Sequence, residues 1–207
     1  MGGFSARDIA AMAARPLVKG ETVDLTGLTV TAPLDLSGLT IGNVDFSGTV
    51  FTAPVLCAGA QFQGLAWFKN CRFGLDADFS ACVFHNDLRF DGAQAAGALR
   101  FARAEFRGIA DFDGARMGGV ADFGDVSCYG SLSLNAAVFE AAVTFQNSEF
   151  LGGLWCGKTS FQSRADFRGA EVHGRTWVRE ASLGLRSDDA ARRALVRDIR
   201  SFGLRWL

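Results

Sequence analysis

Apolar residues recur along most of this chain in alternating steps of five and six residues. The pattern begins at Leu25 and ends at Leu183, with one residue missing from the alternation just before Phe46. We call these 30 positions the centres, and every phenylalanine between residues 21 and 183 is one of them. The centres are Leu25, Val30, Leu36, Ile41, Phe46, Phe51, Cys57, Phe62, Phe68, Phe73, Phe79, Phe84, Phe90, Ala95, Phe101, Phe106, Phe112, Met117, Phe123, Cys128, Leu134, Phe139, Phe145, Phe150, Cys156, Phe161, Phe167, Val172, Val178 and Leu183. A spacing kept over this length indicates an internal repeat.

The residues around each centre repeat as well. The residue two positions earlier is small or aliphatic, the residue just before is often aspartate, and glycine is frequent two positions later, as in Ala110–Gly114. An α-helix is excluded because steps of five and six would scatter the centres around its axis. A continuous flat strand is excluded because its inward positions recur every two residues. The pattern instead predicts short segments separated by corners, with the centres inside and glycine supplying unusual backbone angles at the corners. Four such segments make a coil of 22 residues.

The unit at Ala110–Gly114 resembles the consensus of the pentapeptide-repeat family, and the resemblance covers residues 21–183. It implies an all-β solenoid, a right-handed quadrilateral β-helix. The alternation of five and six is similar to the phenylalanine-rich subgroup, with longer corners than members that keep a strict five. Residues one coil apart should then stack at the strand spacing of about 4.8 Å around a solid interior. One ladder should contain Phe79, Phe101, Phe123, Phe145 and Phe167.

A stack of coils needs a cap at each end, and both ends carry a helical pattern. Residues 1–20 contain a predicted helix over 5–14, with Ser5 as N-cap and Pro16 as the stop. Residues 184–207 contain a second predicted helix over 188–201. Its apolar stripe comprises Ala191, Leu195, Ile199, Phe202 and Trp206. This stripe can serve as a cap on the last coil, as a homodimer interface, which the family resemblance implies for topoisomerase-protecting members, or as both.

Composition and charge limit the classes of function. The 207 residues are 49% hydrophobic with a formal charge of −1, which argues against a strongly basic nucleic-acid binder. No apolar run approaches the ~18 residues that cross a membrane, and no secretory signal is recognisable. We therefore expect neither direct nucleic-acid binding nor membrane insertion. The charge is uneven: residues 21–183 carry −6, residues 1–20 carry +2 and residues 184–207 carry +3.

Cysteine and histidine give no sign of a catalytic or metal site. All five cysteines occupy centres or the positions two before them, so they should point inward as small apolar side chains. Unpaired buried thiols are typical of a reducing cytoplasm. His85 and His173 follow centres and should point outward on coils too far apart to share a metal. The sequence thus predicts a non-enzymatic protein without a cofactor.

Acidic residues directly before centres raise a second functional hypothesis. The candidate acidic surface comprises Asp24, Asp35, Asp45, Asp78, Asp122 and Asp166. The family resemblance implies a DNA mimic that binds DNA gyrase or another topoisomerase and confers resistance to its inhibitors. However, a net charge of −6 on residues 21–183 is far less dense than that of duplex DNA, which carries about one charge per 1.7 Å. In addition, Arg100 and Thr144 interrupt one acidic column. In the other interpretation, these aspartates form hydrogen bonds that hold the corners.

Tryptophan marks another candidate surface. Trp155 and Trp177 lie directly before centres on adjacent coils, so they should face outward near the C-terminal end. An exposed tryptophan pair is typical of a contact surface, unless the predicted C-terminal helix folds over it. The candidate partner or dimer surface comprises Trp155, Trp177, Leu195, Ile199, Phe202 and Trp206. The sequence favours a rigid cytoplasmic rod that binds a protein partner of unknown identity.

Overall fold

The computed structural model describes residues 4–207 and shows the predicted solenoid. The chain winds through four faces, and each face is a parallel sheet built from one short strand per coil. The four sheets contain nine, eight, seven and eight strands. Backbone hydrogen bonds therefore run along the rod, from each coil to the next, while successive side chains alternate between the interior and the surface.

The first and second faces hold the first two strands of each coil. The strands of the first face are Val23–Asp24, Val44–Asp45, Ala66–Trp67, Leu88–Arg89, Ala110–Asp111, Leu132–Ser133, Gly153–Trp155, Arg175–Trp177 and Arg205–Trp206. The strands of the second face are Thr29–Val30, Val50–Phe51, Arg72–Phe73, Gln94–Ala95, Arg116–Met117, Val138–Phe139, Ser160–Phe161 and Ser182–Leu183.

The third and fourth faces complete each coil. The strands of the third face are Leu34–Asp35, Val55–Leu56, Ala77–Asp78, Leu99–Arg100, Ala121–Asp122, Val143–Thr144 and Ala165–Asp166. The strands of the fourth face are Thr40–Ile41, Gln61–Phe62, Val83–Phe84, Glu105–Phe106, Ser127–Cys128, Glu149–Phe150, Glu171–Val172 and Arg200–Ser201.

Stacking follows the register predicted from the sequence. In the body of the rod Ala77 lies opposite Leu99, which is the residue one predicted coil later. In the first coil the offset is shorter by one residue, with Val23 opposite Val44. The residue missing before Phe46 accounts for this shorter first coil, so the break in the sequence pattern marks a real change in coil length.

The centres fill the interior of the rod. All of them are buried except Leu183, which is partly buried at the C-terminal end. The predicted phenylalanine ladder is present: successive rings from Phe79 to Phe167 are stacked with centroids 4.7–5.3 Å apart. Burying one phenylalanine contributes roughly 1.5–3 kcal/mol, so the interior itself holds neighbouring coils together.

Corners after the first and third faces span the five-residue steps and contain one residue in the left-handed conformation. This residue lies two positions after the centre and has φ between +53° and +74°. Glycine occupies it in some coils, as at Gly114, whereas Asn70, Ala81 and Asn147 occupy it in others. The prediction that glycine supplies unusual backbone angles is correct at these corners, although other residues adopt the same angles there.

Corners after the second and fourth faces span the six-residue steps, apart from the shorter corner before Phe46. Glycine serves close packing at these corners instead. Gly108, Gly130, Gly152, Gly174 and Gly203 form a column between the fourth and first faces. A Cβ atom on Gly130 would lie 2.3 Å from the carbonyl oxygen of Gly108. A Cβ atom on Gly152 would lie 2.4 Å from the backbone of Gly130. These positions need glycine because the backbones of adjacent coils approach closely.

The N-terminal helix α1, Ala6–Ala13, closes the first coil. Ser5 is its N-cap: the Ser5 hydroxyl accepts a hydrogen bond from the backbone N–H of Asp8, and the Asp8 carboxylate accepts one from the N–H of Ser5. Ile9 and Ala13 are buried in the same core as the centres, and α1 packs against the first strand of the third face. The predicted cap at this end is confirmed.

The C-terminal helix α2, Asp189–Val196, is shorter than the predicted helix over 188–201. After α2 the chain returns to the solenoid, where Arg200–Ser201 joins the fourth face and Arg205–Trp206 joins the first. The offset to the preceding coil is longer here: 29 positions separate Glu171 from Arg200, whereas 22 separate Ser160 from Ser182. The added positions accommodate α2, and the rod ends in a partial coil.

Hydrogen bonding explains why the helical spacing of the C-terminal stripe does not produce one long helix. The last full coil presents unpaired backbone groups at its edge, and the N–H of Phe202 donates to the carbonyl of Val172 at 2.9 Å. Residues after α2 gain these bonds as strands. Phe202 and Trp206 therefore lie outside the helix. Within the described residues, neither helix has the length and apolarity to cross a membrane.

We predict that the two kinds of corner respond differently to the same substitution. Gly114→Asn should change the free energy of unfolding by less than about 1 kcal/mol, since Asn70 and Asn147 already adopt left-handed corners. Gly152→Asn should cost about 3 kcal/mol, because its Cβ would overlap the preceding coil. Urea unfolding followed by circular dichroism measures both values. Equal losses in the two variants would contradict the separate roles of these glycines.

Candidate functional site

Three tryptophans stack on the outside of the first face at the C-terminal end. We call Trp155, Trp177 and Trp206 the tryptophan ladder. The ring centroids of Trp155 and Trp177 are 6.0 Å apart, and those of Trp177 and Trp206 are 5.6 Å apart. Trp155 and Trp177 are half-buried and Trp206 is exposed. Trp155 and Trp177 face outward as predicted, and the register of the final strand places Trp206, another member of the candidate surface, in the same column.

The C-terminal helix contributes to the core rather than to this surface. Leu195 and Ile199 are each only 4% exposed and belong to the same apolar core as the centres. Helix α2 packs against Ser182–Leu183 on the second face. The structure therefore places Leu195 of α2 and Ile199, which follows α2, against the last coil as a cap would, instead of on the candidate contact surface.

Further apolar side chains are exposed beside the ladder. Phe202 is exposed next to the final fourth-face strand, and Leu204 is exposed at the corner that leads to Trp206. We call the tryptophan ladder together with Phe202 and Leu204 the aromatic end. Exposed apolar groups concentrated in this way are typical of contact surfaces. Leu204 lies outside the set of residues predicted from the sequence, because its exposure depends on the unforeseen final coil.

Charged residues around the aromatic end are paired locally. Arg186 contacts Asp188 at 3.0 Å, and Arg197 contacts Asp198 at 3.2 Å. Arg200 reaches across to Glu171 of the preceding coil at 2.9 Å. Asp188 and Asp198 are already counted in the formal +3 of residues 184–207, so only the pair with Glu171 offsets part of that charge.

The predicted acidic residues hold corners. In each of them one carboxylate oxygen accepts a hydrogen bond from the backbone N–H two residues later, which forms an Asx turn. The donors are Thr26 for Asp24, Ser37 for Asp35, Ser47 for Asp45, Ser80 for Asp78, Gly124 for Asp122 and Arg168 for Asp166, at 2.8–3.2 Å. The interpretation that these aspartates hydrogen-bond the corners is confirmed.

The electrostatics of the acidic residues follow from the same bonds. Hydrogen bonds from Thr26 and Ser37 lower the pKa of Asp24 and of Asp35. Asp166 is buried between two guanidinium groups, and hydrogen bonding to Arg168 lowers its pKa to about 2. The acidic column of the third face therefore ends in a carboxylate that is already neutralised by its neighbours.

The cysteines are structural. All five are buried and free, as predicted. Two of the thiols donate to backbone carbonyls of the preceding coil, from Cys71 to Phe46 at 3.0 Å and from Cys82 to Cys57 at 2.9 Å. Burial raises the pKa of Cys71 and of Cys82 to about 12. These thiols are therefore protonated at neutral pH and poor nucleophiles.

The two histidines differ in their surroundings. His85 lies beside Arg107, with its Nδ1 atom 3.1 Å from the guanidinium. His173 lies beside two glutamates, with its Nε2 atom 3.0 Å from Glu149 and 3.7 Å from Glu171. This group was missed from the sequence because the two histidines were compared only with each other. The register would have revealed it, since Glu149 and Glu171 occupy the same position on adjacent coils.

The fold defines the class of protein as a four-faced parallel β-solenoid with a phenylalanine-filled interior. Part of the chain is similar to the pentapeptide-repeat family. A family model described as pentapeptide repeats (9 copies) matches residues 46–94, 58–104 and 79–127. This agrees with the resemblance carried by the repeated small–acidic–Phe–polar–Gly unit.

One similar solved structure is HetL, a pentapeptide repeat protein involved in heterocyst differentiation regulation from the cyanobacterium Nostoc sp. The match has 12% identity and covers 88% of this chain and 98% of HetL, with a TM-score of 0.26. At that TM-score the likeness implies nothing about function. A search of curated proteins finds no match.

We predict that Asp166 makes stability sensitive to acid. The folded pKa of about 2 lies below the unfolded value of about 3.9. Protonation therefore favours the unfolded chain, and the contribution of Asp166 is complete above pH ~4 and lost as the pH falls to ~2. Asp166→Asn keeps an acceptor for the N–H of Arg168 but removes the charge.

The measurement is the free energy of unfolding of both proteins between pH 5 and pH 2. Asp166→Asn should be the less stable protein at pH 5, and the difference should shrink as the pH falls through the folded pKa. A difference that stays constant over this range would show that the charge of Asp166 adds no stability.

Proposed function

We propose that this protein is a non-enzymatic rod that binds a protein partner through its aromatic end. The observation that carries the proposal is the contrast between the two ends. Helix α1 closes the N-terminal coil, whereas the C-terminal coil leaves Phe202, Leu204 and Trp206 exposed, at 54%, 63% and 48%. Tryptophan and other aromatic residues dominate the binding energy of many protein interfaces.

The construction of the rod supports this role. The ladder positions sit on short strands whose backbones are hydrogen-bonded to the neighbouring coil, as between Trp155 and Trp177. Behind them the interior is filled by stacked side chains. A surface held in this way is already ordered before a partner arrives, which lowers the entropic cost of association.

The chemistry of the chain supports a cytoplasmic location and argues for binding rather than catalysis. The buried, free thiols suit a reducing compartment. The raised pKa values of Cys71 and Cys82 keep them unreactive. The interior positions that could converge on a substrate are occupied by packed phenylalanine, leucine and alanine side chains.

The DNA-mimic hypothesis receives less support from the structure. The predicted acidic residues are engaged in corner hydrogen bonds, and Asp76 and Asp166 are paired with arginines at 3.1 and 2.7 Å. A DNA mimic needs dense and accessible negative charge. A supercoiling assay with purified DNA gyrase, with and without a fluoroquinolone, tests this hypothesis independently of the aromatic end.

We predict that replacing the ladder disrupts association without unfolding the rod. The test protein carries Trp155→Ser, Trp177→Ser and Trp206→Ser, and the matched control carries Tyr129→Ser, an exposed aromatic in the middle of the fourth face. Sedimentation velocity measures whether the wild-type chain pairs with a second copy. Affinity capture from the source cell, with quantitative mass spectrometry, measures binding to other proteins.

The expected result is that association, with a second copy or with another protein, is lost in the triple variant and kept in the control. Removing two or more interface tryptophans should weaken binding by at least about 30-fold, since one such residue is often worth about 2 kcal/mol or more. Circular dichroism and the thermal midpoint establish that the variant is folded. Association that is unchanged in a folded triple variant would overturn the proposal.

A further inference from the structure

Three metal-ligating side chains meet on the fourth face near the C-terminal end. Glu149 and Glu171 occupy the same column on adjacent coils and lie directly opposite each other. His173 follows Glu171 by two residues on the same edge. One ligand atom from each of the three lies within 4.8 Å of the others. The group is separate from the acidic residues that hold corners, because neither glutamate takes part in those turns.

The spacing of the donor atoms suits a transition metal. Nε2 of His173 is 3.0 Å from Oε1 of Glu149 and 3.7 Å from Oε2 of Glu171. Donors placed tetrahedrally around Zn²⁺ at its usual bond lengths are about 3.3 Å apart. The two histidine–glutamate distances are within about half an ångström of this value, and the two carboxylates lie within 4.8 Å of each other. The three side chains are each between 34% and 47% exposed, which gives the ion a path of entry.

Neighbouring residues orient two of the three donors. The ring of His173 is stacked on Phe202, with centroids 4.7 Å apart and planes 15° apart. The guanidinium of Arg200 binds Oε1 of Glu171 at 2.9 Å and leaves Oε2 facing the histidine. Such outer contacts are the usual means of fixing metal ligands. Both come from the final partial coil, which the helical pattern of the sequence did not predict.

The pairing of the glutamates also favours a cation. Like charges directly opposite on adjacent strands destabilise a sheet. Arg200 engages one oxygen of Glu171, and Glu149 lies one coil further from that arginine in the same column. A dication between the two carboxylates would offset their repulsion and join two coils.

We propose that Glu149, Glu171 and His173 bind a divalent transition metal ion of the Zn²⁺ type, with solvent completing its coordination. The ion connects adjacent coils beneath the final partial coil and stabilises the C-terminal end of the rod. Imidazole nitrogen with two carboxylate oxygens suits Zn²⁺, Co²⁺ or Ni²⁺ better than Ca²⁺, which prefers six or more oxygen ligands. This site adjoins the aromatic end through Phe202, but it does not rest on the proposed protein-binding role.

The test uses the full chain without an affinity tag, freed of metal by a chelator and titrated with Zn²⁺ or Co²⁺ alone. Calorimetry should give one ion per chain. At about 100-fold excess over the dissociation constant, Zn²⁺ should raise the thermal midpoint by roughly 5–10 °C. Because the chain has two histidines, NMR of the imidazole nitrogens can assign the shifted ring by comparison with His85→Ala.

Two variants separate ligation from folding. His173→Ala removes a ligand but also the stacking on Phe202, whereas Glu149→Gln removes a charged ligand and leaves that stacking in place. Each should weaken binding by at least about tenfold, and His85→Ala, the matched control, should bind as the wild type does. Circular dichroism of the metal-free variants shows whether they fold.

The outcomes decide the proposal directly. Stoichiometric binding that is lost in Glu149→Gln and His173→Ala and kept in His85→Ala supports it. It is overturned if the wild type fails to bind at a metal concentration on the order of 100 µM. It is equally overturned if binding persists in folded Glu149→Gln, or if Co²⁺ shows a thiolate charge-transfer band, which would place the ion on cysteine.

Discussion

Hydrogen bonding between successive coils is the constraint on which the rest of this structure depends. Each strand pairs in parallel with strands one coil away, so the backbone spacing of about 4.8 Å is imposed on every column of side chains. A column of side chains is therefore stable only if its members can pack at that distance. Phenylalanine rings stacked 4.7–5.3 Å apart meet this condition inside the rod. Glycine meets it at the corners where the backbones themselves come close.

The same constraint creates the surface features. Trp155, Trp177 and Trp206 form a ladder because the register brings residues from separate coils into one column. Glu149 and Glu171 become neighbours for the same reason, although a full coil of chain separates them. In a solenoid, a surface site therefore consists of residues that are distant in sequence but occupy the same position in successive coils. Such sites are found by comparing each residue with the residue one coil later in the sequence.

Much of the fold was predictable because the side chains that define it recur at the same positions of every coil. The steps of five and six identified the centres, and the break before Phe46 correctly marked a shorter coil. The orientation of the cysteines and the corner bonds of Asp24 and Asp35 followed from their phase as well. These features depend on local sequence and on one period, and both are visible in the chain.

The unpredicted features need information that the repeat alone does not supply. Glycine recurs two positions after centres at both kinds of corner, and only the backbone shows that one kind needs a left-handed φ and the other a close approach between coils. The final coil was missed because α2 interrupts the repeat, so the sequence left Leu195 and Ile199 open between a cap and a contact surface. The group around His173 depends on that coil for Phe202 and Arg200.

The longer offset around α2 has a consequence for how such a chain can change in length. The extra residues lie outside the strands, and the strands that follow them stack in register on the preceding coil. Gain or loss of one complete coil would likewise preserve all inward positions, whereas an odd insertion within a strand would turn its centre outward. In evolution the rod can therefore lengthen or shorten in units of one coil while the structures at its two tips are inherited unchanged.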